Sequence, residues 1–324
     1  MSKKIWITWE KQRRNSGVSA GLGFDFHEII STKKGVFRYI ESIVKTTILV
    51  FKCRPNVVAV QNPSIVLSLF MVMLKPLSGF YLIIDSHNAG ISPLEGRNKI
   101  VNYLAVFIQR TANLTLVTNM GLRKIVEGNK GRGFVLPDRI PSVESIGRFN
   151  FEQGKRVVFV CTFSDDEPYN QVFEAAKSLP DGIKIYVTGR YQGKVDKKNM
   201  PNNIRLLGFV PDEEYWAILF GSDVVIDLTT RENCLVCGAY EGIALNKPLI
   251  LSDTNATKEL FEKGCVYVKP VAEEIRLGIL ECLNRHEMLL KEICQLRKTM
   301  IEDWKLKIVE LEKTIILDTE KKIT

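Results

Sequence analysis

Residues 229–253 read TTRENCLVCGAYEGIALNKPLILSD and follow the run DVVIDL at 223–228. That run is apolar almost throughout, as is KPLIL near the end of the stretch, whereas AYEGIAL between them has the spacing of a short helix. Strand, loop, helix and strand in this order form a βαβ unit, and strands apolar on both faces belong to a parallel sheet covered by helices. Glu241 falls about one turn inside the helix. The amino end of a helix at the carboxyl edge of a parallel sheet presents unpaired N–H groups, which hold phosphate without a basic side chain. The loop from Asn233 to Gly238 can therefore seat a diphosphate, and Glu241 can accept hydrogen bonds from two vicinal hydroxyls such as those of a ribose.

The same alternation extends in both directions. In the first half KIWITW, NVVAVQ, FYLIID, LTLVTN and GFVLP read as strands, separated by the helical patterns FRYIESIVKTTILVFK, SIVLSLFMVML, KIVNYLAVFIQRTA and MGLRKIVEG. Residues 137–155 are polar, contain Pro and Gly, carry no period and read as a linker. Beyond them VVFVCTF, IKIYVTG, IRLLGFV, DVVIDL, PLILSD and CVYVKP alternate with a second set of helices. The expected fold class is α/β, with two doubly wound, Rossmann-like domains over 1–150 and 151–300. They are expected to face each other across a cleft at the carboxyl ends of their strands, where open α/β sheets bind ligands. Trp304, Ile308, Leu311 and Ile315 recur at helical spacing, so a helix at about 300–316 should pack back on the protein, with the first domain as its seat. The polar tail from 318 onward is expected to fray.

Composition is that of a soluble globular protein, 45% apolar and 25% charged. MSKKIWITWE enters a strand at once, without the apolar core of a secretory signal. The longest apolar run is cut at Lys75 and Pro76, too early to span a bilayer. Seven scattered cysteines, an odd number, fit reduced thiols in a cytoplasmic chain. Cys234 and Cys237 form a CxxC with no second pair, which reads as small residues near a helix start rather than a zinc site. Residues 1–150 hold 21 Lys and Arg against 9 Asp and Glu, a net of +12, leaving 24 against 28, or −4, for the rest of the overall +8. A basic first half points to an anionic partner such as a membrane surface or a phosphorylated lipid. No recognition-helix, zinc-finger or RNA-binding motif supports a nucleic-acid partner. The apolar helix at 64–74 is expected in the core, as a crossover between strands, rather than dipping into a membrane interface.

ENCLVCGAYEGIALNKPLILSD, residues 232–253, resembles the signature of the nucleotide-sugar-binding half of GT-B glycosyltransferases, especially family four. There a glutamate, seven residues and a second glutamate precede an alanine, a small turn and KP(L/V)I.SD. WITWEKQRRNSG, VVAVQNP, LIIDSHNAG, LVTN, LPDRIP, YVTG and IRLLGFVPDEEYWAIL resemble members of that group too, so the likeness covers most of the chain. It implies a hexosyltransferase that moves a sugar from a nucleotide diphosphate sugar to a glycan, lipid-linked or polysaccharide-precursor acceptor. It also implies a metal-independent enzyme with no cofactor beyond the nucleotide-sugar co-substrate, cytoplasmic and peripheral on the inner face of the membrane. Two other readings stand beside it: a hydrolysing nucleotide-sugar epimerase on the same fold, and a non-catalytic nucleotide-binding scaffold.

By position, Glu241 matches the second glutamate, which in the family holds the ribose. The first falls on Asn233, whose amide can still bond a sugar hydroxyl, with Glu232 one residue away. The family's usual glycine falls on Val236, and Gly238 stands where a proline is common. Family members place an Arg and a Lys after the first strand of this domain, but here the loop reads CTFSDDEPYNQ. Another cation must then meet the leaving diphosphate: Arg190 or Lys194 in TGRYQGK, or Arg231 beside the donor loop. Asp165, Asp166 and Glu167 in the acidic loop could alternatively bind a metal between them and the diphosphate.

In the first domain DSHNAG places Asp85 and His87 at the carboxyl end of a strand. The resemblance puts a histidine here on the donor sugar or acceptor near the reacting carbon, and Asp85 could orient it or act as base. In EKQRRNSG, Arg13 or Arg14 could bind an acceptor phosphate or the diphosphate, while Asn15 or Ser16 could cap the next helix. Gln61, in QNP, is a further acceptor-pocket candidate. Shared mechanism with family four implies retention of anomeric configuration, whereas inversion would need Asp85 or His87 as its base.

Overall fold

The computed structural model of the chain describes residues 3–11, 13–62, 64–143 and 146–320, with Arg13 described by its backbone alone. The chain divides into two compact units, Met1–Arg139 with Asp303–Thr324, and Ile140–Glu302.

The first unit contains β1 (Lys4–Thr8), α1 (Arg13–Gly21), β2 (Asp25–Glu28), α2 (Val36–Cys53), β3 (Val57–Asn62), α3 (Ile65–Ser78) and β4 (Tyr81–Ser86). These are followed by α4 (Asn88–Ile91), α5 (Lys99–Thr111), β5 (Leu114–Val117), α6 (Met120–Gly128) and β6 (Gly133–Val135). Its six strands run in the order β2-β1-β3-β4-β5-β6, and every neighbouring pair is parallel. Successive strand residues point to opposite faces. Ile5, Ile7, Val58, Val60, Leu82 and Ile84 accordingly meet Val50 of α2 and Leu67 and Met71 of α3. Trp6, Val57, Ala59 and Ile83 meet Val18 and Leu22 on the other side.

The second unit contains β7 (Lys155–Phe159), α7 (Tyr169–Lys177), β8 (Ile183–Thr188), β9 (Ile204–Gly208), α8 (Asp212–Gly221), β10 (Val224–Asp227) and α9 (Cys237–Ala244). After these come β11 (Leu249–Ser252), α10 (Asn255–Leu260), β12 (Cys265–Val268), α11 (Ala272–Asn284) and α12 (His286–Glu320). The strand order is β12-β11-β10-β7-β8-β9, again parallel throughout. Strand order reverses between β7 and β10 here, and between β1 and β3 in the first unit. Open sheets take ligands at the carboxyl ends beside such a reversal.

Four features differ from the sequence reading. β2 (DFHE) was not expected, because an edge strand paired on one side only, to β1, carries little apolar signal. Asn15 and Ser16 lie inside α1, which starts at Arg13, rather than ahead of it as caps; Asn15 is buried and accepts the Trp6 indole N–H at 3.2 Å. α3 continues through Lys75 and Pro76 to Ser78 and closes on Gly79 in the left-handed region, with its inner face in the core as expected of a crossover. In the stretch 137–155, Ile140 is a core residue of the second unit and Phe151 stacks edge-on against Tyr186 with centroids 4.8 Å apart. The chain therefore leaves the first unit at Arg139.

α12 is 35 residues long and starts well before the apolar stripe that announced it. Ile293, Leu296 and Met300 belong to the core of the second unit. Ile308, Leu311 and Ile315 belong to that of the first, with Trp304 packed beside them. The Tyr81 hydroxyl donates to Asp318 at 2.5 Å near the end of the helix. Residues 321–324 of the expected frayed tail lie outside the described residues. Among the described residues, no helix is long and apolar enough to cross a membrane.

Candidate functional site

The carboxyl edge of the second sheet is built around Asp227, the last residue of β10. It is buried, and its Oδ2 accepts the Gly238 N–H at 2.7 Å. A Cβ at position 238 would stand 2.6 Å from that oxygen and 2.9 Å from a Val160 methyl, so α9 can start this close to the sheet only with glycine there. Burial lifts the Asp227 pKa well above the usual carboxylate range. The Gly238 amide opposes this, and Glu167, Glu241 and Asp166 reinforce it. The Gly238 amide, expected to lie open to a phosphate, is thus already capped by the strand-end acid.

Glu241 lies half-buried on α9, where its Oε2 accepts the Tyr215 hydroxyl of α8 at 2.5 Å. Burial, and then the neighbouring Glu241 charge, push the phenol pKa well above 10, so Tyr215 stays the donor. A carboxylate has about four acceptor positions. The Tyr215 phenol takes one of these positions and orients the group.

The loop after β7 closes on itself. Phe163 adopts a left-handed backbone (φ 61°), and the N–H groups of Thr162 and Ser164 on either side of it converge on Glu167 at 2.9 and 2.8 Å. The Thr162 hydroxyl joins them at 3.0 Å. Such a pair of amides is an anion cradle, and here the chain fills it with its own carboxylate. Asp166 accepts the Thr229 hydroxyl at 2.8 Å and stands 3.5 Å from the Arg231 guanidinium. Glu232 accepts the N–H of Asn255, the first residue of α10, at 2.7 Å. Asp166 and Glu167 thus turn to different partners, and no group of three or more His, Cys, Asp or Glu among the described residues is placed to hold a metal.

Asn233 sits half-buried on the turn before α9. Arg190, exposed after β8, lays its guanidinium on the Phe209 ring at 5.0 Å, and Lys194 is exposed in the same loop. Neither thiol of the CxxC is in a disulfide, and burial followed by Asp166 and Asp227 pushes the Cys234 pKa up to about 11.

In the first unit the sequence candidates are brought together differently. Arg14, on α1, directs Nε at both oxygens of Asp85 (3.0 Å each) and Nη2 at Oδ1 (2.9 Å) and at the Leu136 carbonyl (2.9 Å). Its Nη1 donates to Asp138. The Arg14 side chain is 6% exposed and that of Asp85 1%. Burial works against the charged guanidinium, and the two aspartates outweigh it and raise its pKa. Burial likewise favours neutral Asp138, but Arg14 and His87 together hold its carboxyl below the usual range. Two expectations are corrected here: Asp85 is committed to Arg14 rather than to His87 or a substrate proton, and Arg14 is not turned toward an acceptor phosphate. Gln61 is also corrected, because it is fully buried, accepts the Thr8 hydroxyl and lines no surface. The Arg13 side chain lies outside the described residues. His87 is half-buried at the amino end of α4, where its carbonyl accepts the Gly90 and Ile91 N–H groups at 2.9 and 3.0 Å.

Asp227, Tyr215 and Asp138 were missed in the sequence. For Asp227 the signal was present, since an acid ends the otherwise apolar VVID as it ends LIID at Asp85.

No family model and no curated protein matches the sequence. Solved structures do match it. The sucrose-phosphate synthase of Thermosynechococcus elongatus superposes over 98% of this chain and 100% of its own at a TM-score of 0.78, with 12% identity. The chain has the GT-B fold. Anabaena HepE in complex with UDP-glucose shares this GT-B architecture over 98% of this chain and 99% of its own, at a TM-score of 0.71 and 12% identity. So does a Listeria monocytogenes protein assigned as a UDP-N-acetylglucosamine 2-epimerase, over 91% of each chain at a TM-score of 0.57 and 11% identity. At such identities the likeness is one of fold.

Proposed function

We propose that this chain is a glycosyltransferase that takes a hexose from a nucleotide diphosphate sugar, without a metal ion, to a lipid-linked or polysaccharide-precursor hydroxyl at a membrane face. The observation that carries the reading is Glu241, held by Tyr215 beside the strand reversal of a GT-B donor-type unit, where an acid suits a nucleotide ribose. In the reaction the bond between the anomeric carbon and the diphosphate oxygen breaks, and the acceptor oxygen bonds to that carbon. The acceptor proton leaves, and the nucleoside diphosphate departs. In this reading Arg190, Lys194 or Arg231 meets the departing charge. Asn233 bonds a donor hydroxyl, and the basic first unit receives the acceptor. With Asp85 committed to Arg14, His87 is the strand-end group left to handle a proton.

The occupied amides favour a second reading, a non-catalytic nucleotide-binding or scaffold protein. The Listeria neighbour keeps the epimerase alternative in view. Incubation with a panel of nucleotide sugars separates the three. Thermal stabilisation by a donor with slow hydrolysis supports transfer, an epimeric product supports the epimerase, and no stabilisation by any nucleotide leaves the scaffold. Glu241→Ala should weaken nucleotide binding about tenfold or more, the scale of a lost charged hydrogen bond, with the fold retained and stability lowered by about 1–3 kcal/mol because the Tyr215 hydroxyl loses its acceptor. Unaltered affinity by calorimetry would remove the ribose role.

A further inference from the structure

α2 is apolar on two sides. Tyr39, Ile43, Leu49 and Val50 pack toward the sheet. Phe37, Ile40, Val44, Ile48 and Phe51 are all exposed, Phe37 at 69% and Ile48 at 60%. At 3.6 residues per turn these five fall within a stripe roughly 80° wide, on the side of the helix away from the core. α3 packs beside α2 and adds Met73 and Leu77, the latter 76% exposed. A hollow of about 630 Å³ opens between the carboxyl ends of the two helices, lined by Val50, Phe51 and Leu77, with Arg54 also on its wall. Soluble monomers seldom leave so continuous an apolar strip in water without a use for it.

The charges around the strip identify its partner. Residues 33–54 contain six Lys and Arg and a single acid, Glu41. Glu41 is itself paired with Lys45 at 2.5 Å. Lys33 and Lys34 are exposed just before α2, Lys52 in its last turn, and Arg54 just after it. An apolar strip flanked by bases fits a lipid interface, with the side chains among the upper acyl segments and the cations at headgroup phosphates. A second copy of this chain is disfavoured, because a two-fold contact would set this basic patch against an identical basic patch.

We propose that the outer face of α2, extended by Met73 and Leu77 of α3, seats the first unit on an anionic lipid bilayer. The inference deepens the membrane-face part of the proposed function, but its test reads lipid binding alone, so its failure is distinguishable from failure of the transferase reading. The test is flotation of the full chain with phosphatidylcholine vesicles containing or lacking phosphatidylglycerol. The chain should float with the anionic vesicles, much less with the neutral ones, and less as salt is raised. Phe37→Glu with Ile48→Glu should lower the partition coefficient at least about tenfold, while melting temperature and nucleotide affinity stay unchanged because both positions are exposed. Lys34→Glu with Lys52→Glu should weaken binding several-fold on anionic vesicles alone. The proposal is overturned if the wild-type chain ignores anionic vesicles, or if the Phe37/Ile48 variant floats equally well. It is also overturned if the chain is a lipid-free dimer that this variant dissociates.

Discussion

The carboxyl edges of the two sheets manage their charge in opposite ways. In the first unit a guanidinium, Arg14, is enclosed by two aspartates brought from β4 and from beyond β6. In the second, carboxyl groups cap backbone N–H groups: Asp227 on Gly238, Glu167 on Thr162 and Ser164, Glu232 on Asn255. A side-chain ion pair of this depth is hard to open, because either partner alone is an uncompensated buried charge. A carboxylate on an amide differs, since an incoming anion can take over the same donors. The first edge is therefore a fixed support, whereas under the proposed function a phosphate enters the second by displacement.

The comparison breaks most visibly at Arg14. Arg14→Ala leaves Asp85 and Asp138 without their cation and should cost about 3–5 kcal/mol of stability in chemical denaturation; a loss under 1 kcal/mol would mean the edge is not a fixed support. The Asp138 share has a pH signature. Its depressed pKa adds stability above the ordinary aspartate value near 3.9, and that stability is lost as pH falls through the folded value. A smaller effect sharpens the other side. Glu167→Gln removes a charge from the cradle and should raise nucleotide affinity roughly threefold to tenfold, whereas weaker binding would place the phosphate elsewhere. The smallest change is Asp227→Asn, which keeps the acceptor for Gly238 and should lie within about 0.5 kcal/mol of wild type near pH 4. Because the folded Asp227 pKa is raised, its stability is present at low pH and lost as pH rises toward the folded value. The asparagine variant should therefore gain on wild type in melting temperature between pH 4 and 8, and a flat difference would argue against the burial assigned to Asp227.

Much of the fold was legible because its strands are buried on both faces. NVVAVQ and FYLIID have no polar side to hide, and each became a fully buried strand. β2 escaped because one-sided pairing tolerates DFHE. The site was legible as a set of residues and not as a set of partnerships. Arg14 and Asp85 were both singled out, but 71 residues separate them, and no local pattern states that one neutralises the other. Glu241 was found from its place on a helix, whereas Tyr215, 26 residues earlier, looks like any helical tyrosine until α8 is packed beside α9.

The long last helix has a consequence for how the protein is made. Ile308, Leu311 and Ile315 complete a core whose other buried members come from the first 136 residues, so that core stays unfinished until residues 308–315 have been translated. The second unit lacks only the turns of α12 up to residue 302 and can be complete earlier, which reverses the usual amino-to-carboxyl order of domain maturation on the ribosome.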